Sequence, residues 1–140
     1  MAKTISLEFD GYWLESGKKN VIDSSGIYNV YTCSFDKETD KVSLSKHVYT
    51  GESSNVRARL DDHEKQGDWE KHLKKGEQLC FSVCKVASTD RVRAEAAMIH
   101  KHNPPVNSEY VDKFPYEETT IKLTGKKKYL ASNFTVHKVV

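Results

Sequence analysis

The pattern of apolar and polar positions predicts strands separated by three helical stretches. Residues 4–13 (TISLEFDGYW) alternate apolar with polar side chains, which indicates a strand. The β-branched and aromatic segments GIYNVYTCSF and VSLSKHVYTG flank the polar FDKETDKVS, so they predict a β-hairpin with a long tip. EQLCFSVCKVAS predicts a third core strand, and the alternation in IKLTGKKKYLASNFTVHKVV predicts one or two closing strands.

Three helices are predicted between these strands. The first is capped by Ser53 or Ser54 and runs to about Lys65, and the second is the short DWEKHLKK. The third starts from a cap in residues 88–90 and ends near residue 102, because the prolines that follow lack a backbone donor. The chain therefore predicts an α+β fold, a small antiparallel sheet of three core strands plus terminal strands, flanked by helices, in one domain over residues 1–140.

The third predicted helix contains an anomaly. Its apolar side is Val92, Ala96 and Ile99, and Glu95 lies between them at three- and four-residue offsets. A carboxylate among apolar helix positions is costly unless it meets a cation, a metal or a good hydrogen-bond donor. Glu95 therefore favours a functional site on this helix.

Composition narrows the possible classes of protein. With 140 residues, 37% apolar content and a net charge of +2, the chain differs from strongly basic, histone-like binders. A nucleic-acid surface must then come from local clusters of basic residues, such as residues 18–19, 57–59, 71–75 and 126–128. Three cysteines without metal-ligand spacing argue against a disulfide framework and a zinc site. The N-terminus resembles no signal peptide and no stretch reaches membrane-spanning length, so a cytoplasmic protein is expected.

Separated motifs along the chain resemble the GIY-YIG nuclease family. Its two tyrosine motifs stand here as Gly26-Ile27-Tyr28 and Tyr49-Thr50-Gly51. Arg59 matches the family arginine, ten residues after the second tyrosine, and His63 matches a histidine one helical turn later. Glu95 matches the helical glutamate of the family, and Asn107 matches its late asparagine. The resemblance covers roughly residues 26–107, and the proline-containing segment before the asparagine looks like that of the bacterial excinuclease nuclease subunit.

The resemblance implies a metal-dependent DNA endonuclease with one active site, formed by Tyr28, Tyr49, Arg59, His63, Glu95 and Asn107. Glu95 would hold one Mg²⁺ or Mn²⁺, and Arg59 would neutralise charge on the phosphate. Tyr28 or Tyr49 would act as general base, its pKa lowered by Arg59, His63 and the metal, with His63 relaying the proton. Asn107 would orient Glu95 or a phosphate.

Two departures from the family pattern bear on these expectations. The hairpin tip between Tyr28 and Tyr49 is longer than in compact members, which leaves room for a DNA-contacting loop. Glu52 stands where excinuclease has a lysine, so a role of that lysine is not carried over. Restriction, repair and mobile-element roles share this chemistry, and cutting both strands with one site requires a dimer or sequential nicking.

Two other functions are compatible with the sequence. One is a nucleic-acid-binding or repair-complex module that keeps the fold and has little activity on its own. The other is a structural or protein-interaction domain, in which Arg59 and Glu95 form a buried ion pair.

The active site of the enzyme is expected on one sheet face, between the tyrosines and the helix that bears Glu95.

Overall fold

A six-stranded sheet forms the frame of the protein in a computed structural model that describes all residues, 1–140. Its strands are β1 (Lys3–Leu14), β2 (Gly26–Asp36), β3 (Lys41–Ser53), β4 (Gln78–Lys85), β5 (Thr119–Gly125) and β6 (Asn133–Val136). Their order in the sheet is β3-β2-β4-β1-β5-β6. Neighbouring strands pair antiparallel except β1 and β5, which are parallel. The predicted α+β class is confirmed, and β3 is an edge strand.

Three helices pack on the two faces of this sheet, namely α1 (Val56–Asp61), α2 (Gln66–Glu70) and α3 (Ser88–His102). Successive side chains of a strand point to opposite faces. Tyr28 accordingly joins a buried cluster with Leu60 of α1 and Trp69 of α2, whereas Ile27 joins a second cluster with Met98 of α3. The helices before and after β4 therefore cover opposite faces of the sheet. No helix has the length and apolar character that crossing a membrane requires.

The first helix is shorter than the sequence pattern predicted. It ends at Asp61, because the next residue, Asp62, has non-helical backbone angles of φ −142° and ψ 89°. Its cap is Asn55, whose side chain accepts a hydrogen bond from the Ala58 amide at 3.0 Å, and Ser53 belongs to β3 instead. The prediction of a serine cap and of a helix through Lys65 was therefore wrong.

The third helix has the predicted ends but different contacts. Asn103 adopts a left-handed conformation with φ 48° and ends the helix, as the sequence indicated. No side chain caps its first turn, so the predicted cap at residues 88–90 is not formed. Val92 is 37% exposed, and the buried side of the helix includes Ala94 and Ala97. The predicted apolar side was therefore only partly right.

The β2–β3 hairpin is long because its strands are long. Asp36 pairs with Lys41, so the turn spans only residues 37–40. Several polar residues that the sequence pattern assigned to a loop instead form pairs between two solvent-exposed strands. The predicted long tip is therefore wrong, and the room that it left for a DNA-contacting loop is absent.

A β-bulge in β3 shapes the segment that precedes the site. Val30 pairs with Tyr49 and Tyr31 pairs with His47, so Val48 is the extra residue on the β3 side. As a result, the consecutive residues Val48 and Tyr49 both pack against the cluster on the α1 face.

A buried polar network fixes the next residue, Thr50, from the opposite face. The Thr50 hydroxyl donates to Asn29 Oδ1 at 2.7 Å, and it therefore accepts from His47 Nε2 at 2.9 Å. The Asn29 amide donates in turn to Ser82 Oγ on β4 at 3.0 Å. Burial lowers the pKa of His47 to about 3, so its ring is neutral and the network carries no charge. Three strands are thus connected under the site by side-chain hydrogen bonds.

We expect Thr50→Val to destabilise the protein by about 1–3 kcal/mol, because it leaves Asn29 Oδ1 and His47 Nε2 without partners inside the sheet. Urea unfolding of the purified variant measures this. Thr120→Val is the matched control, because the hydroxyl of Thr120 meets only Thr135 at an exposed position. Equal stability of Thr50→Val and wild type would show that the network does not contribute.

Candidate active site

A cavity of about 340 Å³ lies along the edge strand β3. The segment after α3 runs beside this edge, since the Val106 amide donates to the Val48 carbonyl at 3.0 Å. Helix α1 reaches the cavity from one sheet face and α3 from the other. The site is therefore at the sheet edge and not on one face as the sequence suggested. Its walls are formed by Tyr28, Tyr49, Glu52, Arg59, Glu64, Lys65, Glu95, Ile99, Val106, Asn107, Ser108 and Glu109.

Tyr28 reaches the cavity by lying across the backbone of β3 at Gly51. The two residues are directly opposed in the β2–β3 pairing. A Cβ atom at Gly51 would come within 2.3 Å of the Tyr28 hydroxyl oxygen and 2.4 Å of Cζ, distances that real contacts do not reach. Gly51 is therefore required by the close approach of the Tyr28 ring.

The Tyr28 hydroxyl forms a hydrogen bond with His63 Nε2 at 2.7 Å. His63 lies in the bend after α1, and its Nδ1 accepts a hydrogen bond from the Lys65 amide at 3.0 Å. Burial, followed by the charge of Arg59, lowers the pKa of His63 to about 4, so the ring is neutral. Because Nδ1 accepts, the single ring proton is on Nε2, and His63 donates to the Tyr28 oxygen. His63 in this tautomer does not take up a proton from Tyr28, contrary to the expected relay.

Burial dominates the ionisation of both tyrosines. It raises the pKa of Tyr28 well above its ordinary value and that of Tyr49 to about 12, although Arg59 acts in the opposite direction on both. Arg59, His63 and the metal together were expected to lower the tyrosine pKa, and Arg59 does act in that direction, but burial outweighs it. Further positive charge is needed before either hydroxyl ionises near neutral pH.

Arg59 is paired with Glu64 and not with Glu95. Its guanidinium contacts the two carboxylate oxygens of Glu64 at 2.7 and 2.6 Å. The interpretation as a structural domain with a buried Arg59–Glu95 ion pair is contradicted by this pairing.

Glu95 faces the cavity without an ion-pair partner. The nearby Arg91 contacts Glu52 instead and also donates to Ser25 Oγ at 2.9 Å. Burial, with the charges of Glu52 and Glu109, raises the pKa of Glu95 to about 8. An accessible carboxylate held in its protonated form by desolvation and like charge is a frequent property of functional sites.

The residues of the cavity fit a single divalent cation. No group of three His, Cys, Asp or Glu side chains is placed to hold a metal by protein ligands alone. Glu95 supplies one hard oxygen ligand with no competing cation, and the carboxylates of Glu52 and Glu109 add negative charge around it. Such a site suits Mg²⁺ or Mn²⁺, which keep several of their water ligands.

Asn107 has a contact that the sequence did not predict. Its Oδ1 accepts from the Thr50 amide at 2.9 Å and its Nδ2 donates to the Thr50 carbonyl at 2.9 Å. The side chain thus completes the edge of β3 as a backbone would, and it fixes the segment after α3 beside the tyrosines. In this structure it forms no hydrogen bond with Glu95.

The arrangement agrees with a comparison against known protein families. The GIY-YIG catalytic domain family matches residues 26–129, which is most of the chain. The protein belongs to the GIY-YIG family. The match extends beyond the residues 26–107 that the motifs suggested and includes β5. Neither the curated proteins nor the solved structures contain a significant match to the chain.

All six predicted site residues of this GIY-YIG domain are close to one another. Five of them line the cavity, and His63 lies behind it, where it is hydrogen-bonded to Tyr28. Sequence reasoning missed Glu64, Lys65 and Glu109, which also line the cavity. Their proximity to His63 and Asn107 in the chain was the available signal.

Gly51→Ala should destabilise the domain by about 1–3 kcal/mol and displace the Tyr28 hydroxyl from His63, because the added methyl group overlaps the ring. Chemical unfolding and the tyrosine absorption spectrum measure the two effects. Gly67→Ala, on α2, is the control, because a Cβ there meets no atom within 4 Å. A Gly51→Ala variant as stable as wild type would contradict the close contact.

Glu95→Gln should stabilise the metal-free protein at high pH. The raised folded-state pKa means that the folded protein binds this proton more tightly than the unfolded chain does, so stability is lost as pH rises from about 4.5 to about 8. Glutamine removes that loss. We expect equal stability near pH 4.5 and a gain of roughly 1–3 kcal/mol near pH 9, measured by urea unfolding with EDTA. Glu70→Gln, at an exposed position of α2, is the control. A loss of stability in Glu95→Gln at high pH would contradict the absence of a partner.

Proposed function

We propose that the protein is a metal-dependent DNA endonuclease that hydrolyses phosphodiester bonds with one metal ion and a tyrosine base. The observation that carries this proposal is the unpaired carboxylate of Glu95, which faces the same cavity as two tyrosines and an arginine. Phosphodiester hydrolysis needs a deprotonated nucleophile, neutralisation of charge on the phosphate and stabilisation of the leaving oxygen. The cavity contains a residue suited to each of these tasks.

Glu95 would hold the metal, and Arg59 would bind the phosphate. When bound, the ion supplies positive charge that stabilises the phosphate and the leaving 3′-oxygen and that favours the tyrosinate form. Arg59 is permanently charged, and its planar fork matches two phosphate oxygens. Because charge on these oxygens increases during the reaction, loss of Arg59 should lower turnover more than DNA binding.

Tyr28 is the better candidate for the general base. Its oxygen accepts the hydrogen bond from His63 Nε2, which favours the ionised form. The Tyr49 hydroxyl has no hydrogen bond in the structure and forms part of the cavity wall. In the reaction we propose, Tyr28 has first lost its proton to solvent and is a tyrosinate; the water oxygen then attacks phosphorus, the water proton passes to the Tyr28 oxygen, and the electron pair of the broken P–O bond goes to the 3′-oxygen.

A nucleic-acid-binding module with the same fold is the alternative. The observation that favours it is Glu52, which stands where excinuclease has a lysine and is bound by Arg91. Without that lysine, one positive charge that would stabilise the developing charge during cleavage is missing, which favours binding with little cleavage. The two functions differ in whether the purified chain cuts DNA.

Cleavage of supercoiled plasmid tests the proposed function. We expect nicking or linearisation by wild type with Mg²⁺ or Mn²⁺, and no product with EDTA or with Glu95→Gln, because the variant lacks the metal ligand. If the folded wild type binds the plasmid but leaves it intact, the nucleic-acid-binding module is the correct function. Cleavage that persists in Glu95→Gln would overturn the assignment of the site.

Single-turnover rates of two tyrosine variants test the choice of base. We expect Tyr28→Phe to lower the rate about 100-fold or more, the usual contribution of a general base, and Tyr49→Phe to lower it less. Tyr116→Phe is the control and should keep the wild-type rate, because the Tyr116 hydroxyl forms no hydrogen bond and lies outside the cavity. A larger loss in Tyr49→Phe than in Tyr28→Phe would assign the base to Tyr49.

A further inference from the structure

Two neighbouring residues of opposite charge, Glu64 and Lys65, line the cavity directly after His63. Glu64 contacts both terminal nitrogens of the Arg59 guanidinium, one with each carboxylate oxygen, at 2.7 and 2.6 Å. A phosphate binds a guanidinium through the same two-pronged geometry. In the free protein, the Glu64 carboxylate therefore stands where two phosphate oxygens would bind Arg59.

The Arg59–Glu64 pair is easily exchanged. The Glu64 side chain is 65% exposed, and Arg59 is partly exposed as well. An exposed ion pair is screened by water and salt, so it holds its partners weakly compared with a buried pair. The polyanionic backbone of DNA can therefore displace Glu64 from Arg59 at small cost.

Lys65 is the second basic residue in the cavity wall and has no partner. Its backbone is fixed by the hydrogen bond from its amide to His63 Nδ1, but its ammonium group forms neither an ion pair nor a hydrogen bond. The cavity carboxylates of Glu52 and Glu64 each have an arginine partner. An unpaired ammonium in such a wall is available to an incoming phosphate at no cost in broken contacts.

We propose that Glu64 and Lys65 control phosphate binding in opposite directions: Glu64 occupies Arg59 in the free protein, and Lys65 shares the bound phosphodiester with Arg59. This inference rests on the proposed function, because its ligand is the phosphodiester backbone of DNA. Lys65 would supply the positive charge that is missing because Glu52 stands where excinuclease has a lysine. It does so from the bend after α1 and not from β3. Removal of one residue should therefore strengthen binding and removal of the other should weaken it.

The test uses binding without cleavage, in the Glu95→Gln background with Mg²⁺. Affinity for a short fluorescent DNA duplex is measured by anisotropy over a salt series for Glu64→Gln, Lys65→Gln and Lys65→Arg. Glu70→Gln and Lys71→Gln are the matched controls, because this exposed neighbouring pair at the end of α2 has the same charges but lies outside the cavity. They report the effect of net charge alone.

We expect Glu64→Gln to tighten binding about two- to five-fold beyond the effect of Glu70→Gln, since it frees Arg59. Lys65→Gln should weaken binding about three- to ten-fold beyond the effect of Lys71→Gln and lower the salt slope by about 0.9, the value for one phosphate contact. Lys65→Arg should restore both the affinity and the slope.

Shifts equal to those of the matched controls would overturn this inference and leave the proposed function intact. Weaker binding by Glu64→Gln, in a variant with an unchanged unfolding curve, would overturn it as well. Wild type that neither binds nor cuts DNA with Mg²⁺, measured beside this series, would overturn both the inference and the proposed function.

Discussion

The contact between the Tyr28 ring and the backbone of Gly51 determines where the site lies. The ring crosses the edge strand at the one position without a side chain, and its hydroxyl then meets His63 beyond that strand. Because the hydroxyl is at the sheet edge, helices on opposite faces can both contribute to the same cavity. The polar network around Thr50 and the two hydrogen bonds from Asn107 hold this part of β3 in place. The position of the Tyr28 hydroxyl in the cavity thus depends on this one close approach.

The distribution of charge around that cavity follows from which pairs are formed. Burial, with the charges of Glu52 and Glu109, raises the pKa of Glu95 to about 8, and no ion pair offsets this because Arg59 is bound by Glu64 and Arg91 contacts Glu52. The same burial raises the pKa of both tyrosines. In the metal-free site the neutral forms of Glu95 and of the two tyrosines are therefore favoured. A divalent cation would lower these raised pKa values, because its charge favours the carboxylate and the tyrosinate. In the proposed mechanism, metal binding and formation of the tyrosine base would therefore be linked.

Sequence reasoning was most successful where local pattern determines structure. Alternation and β-branched residues indicated the strands, and the order of Tyr28, Tyr49, Arg59 and Glu95 indicated a shared site and the family. It failed where long-range packing decides. The non-helical backbone at Asp62 ends α1 before His63. The polar residues of the hairpin belong to paired strands and not to a loop. The partners of Arg59 and the direction of the tyrosine pKa shifts depend on distances and burial, which no spacing along the chain contains.

Calorimetric titration of Mn²⁺ into the metal-free protein, in two buffers with different ionisation enthalpies near pH 7, tests most directly whether Glu95 is an unpaired metal ligand. A carboxyl with a pKa of about 8 is largely protonated at this pH and must lose its proton to bind the ion. We expect binding of one ion with release of nearly one proton, and loss of both in Glu95→Gln. Binding that is unchanged in Glu95→Gln, or that releases no proton, would contradict the role assigned to Glu95.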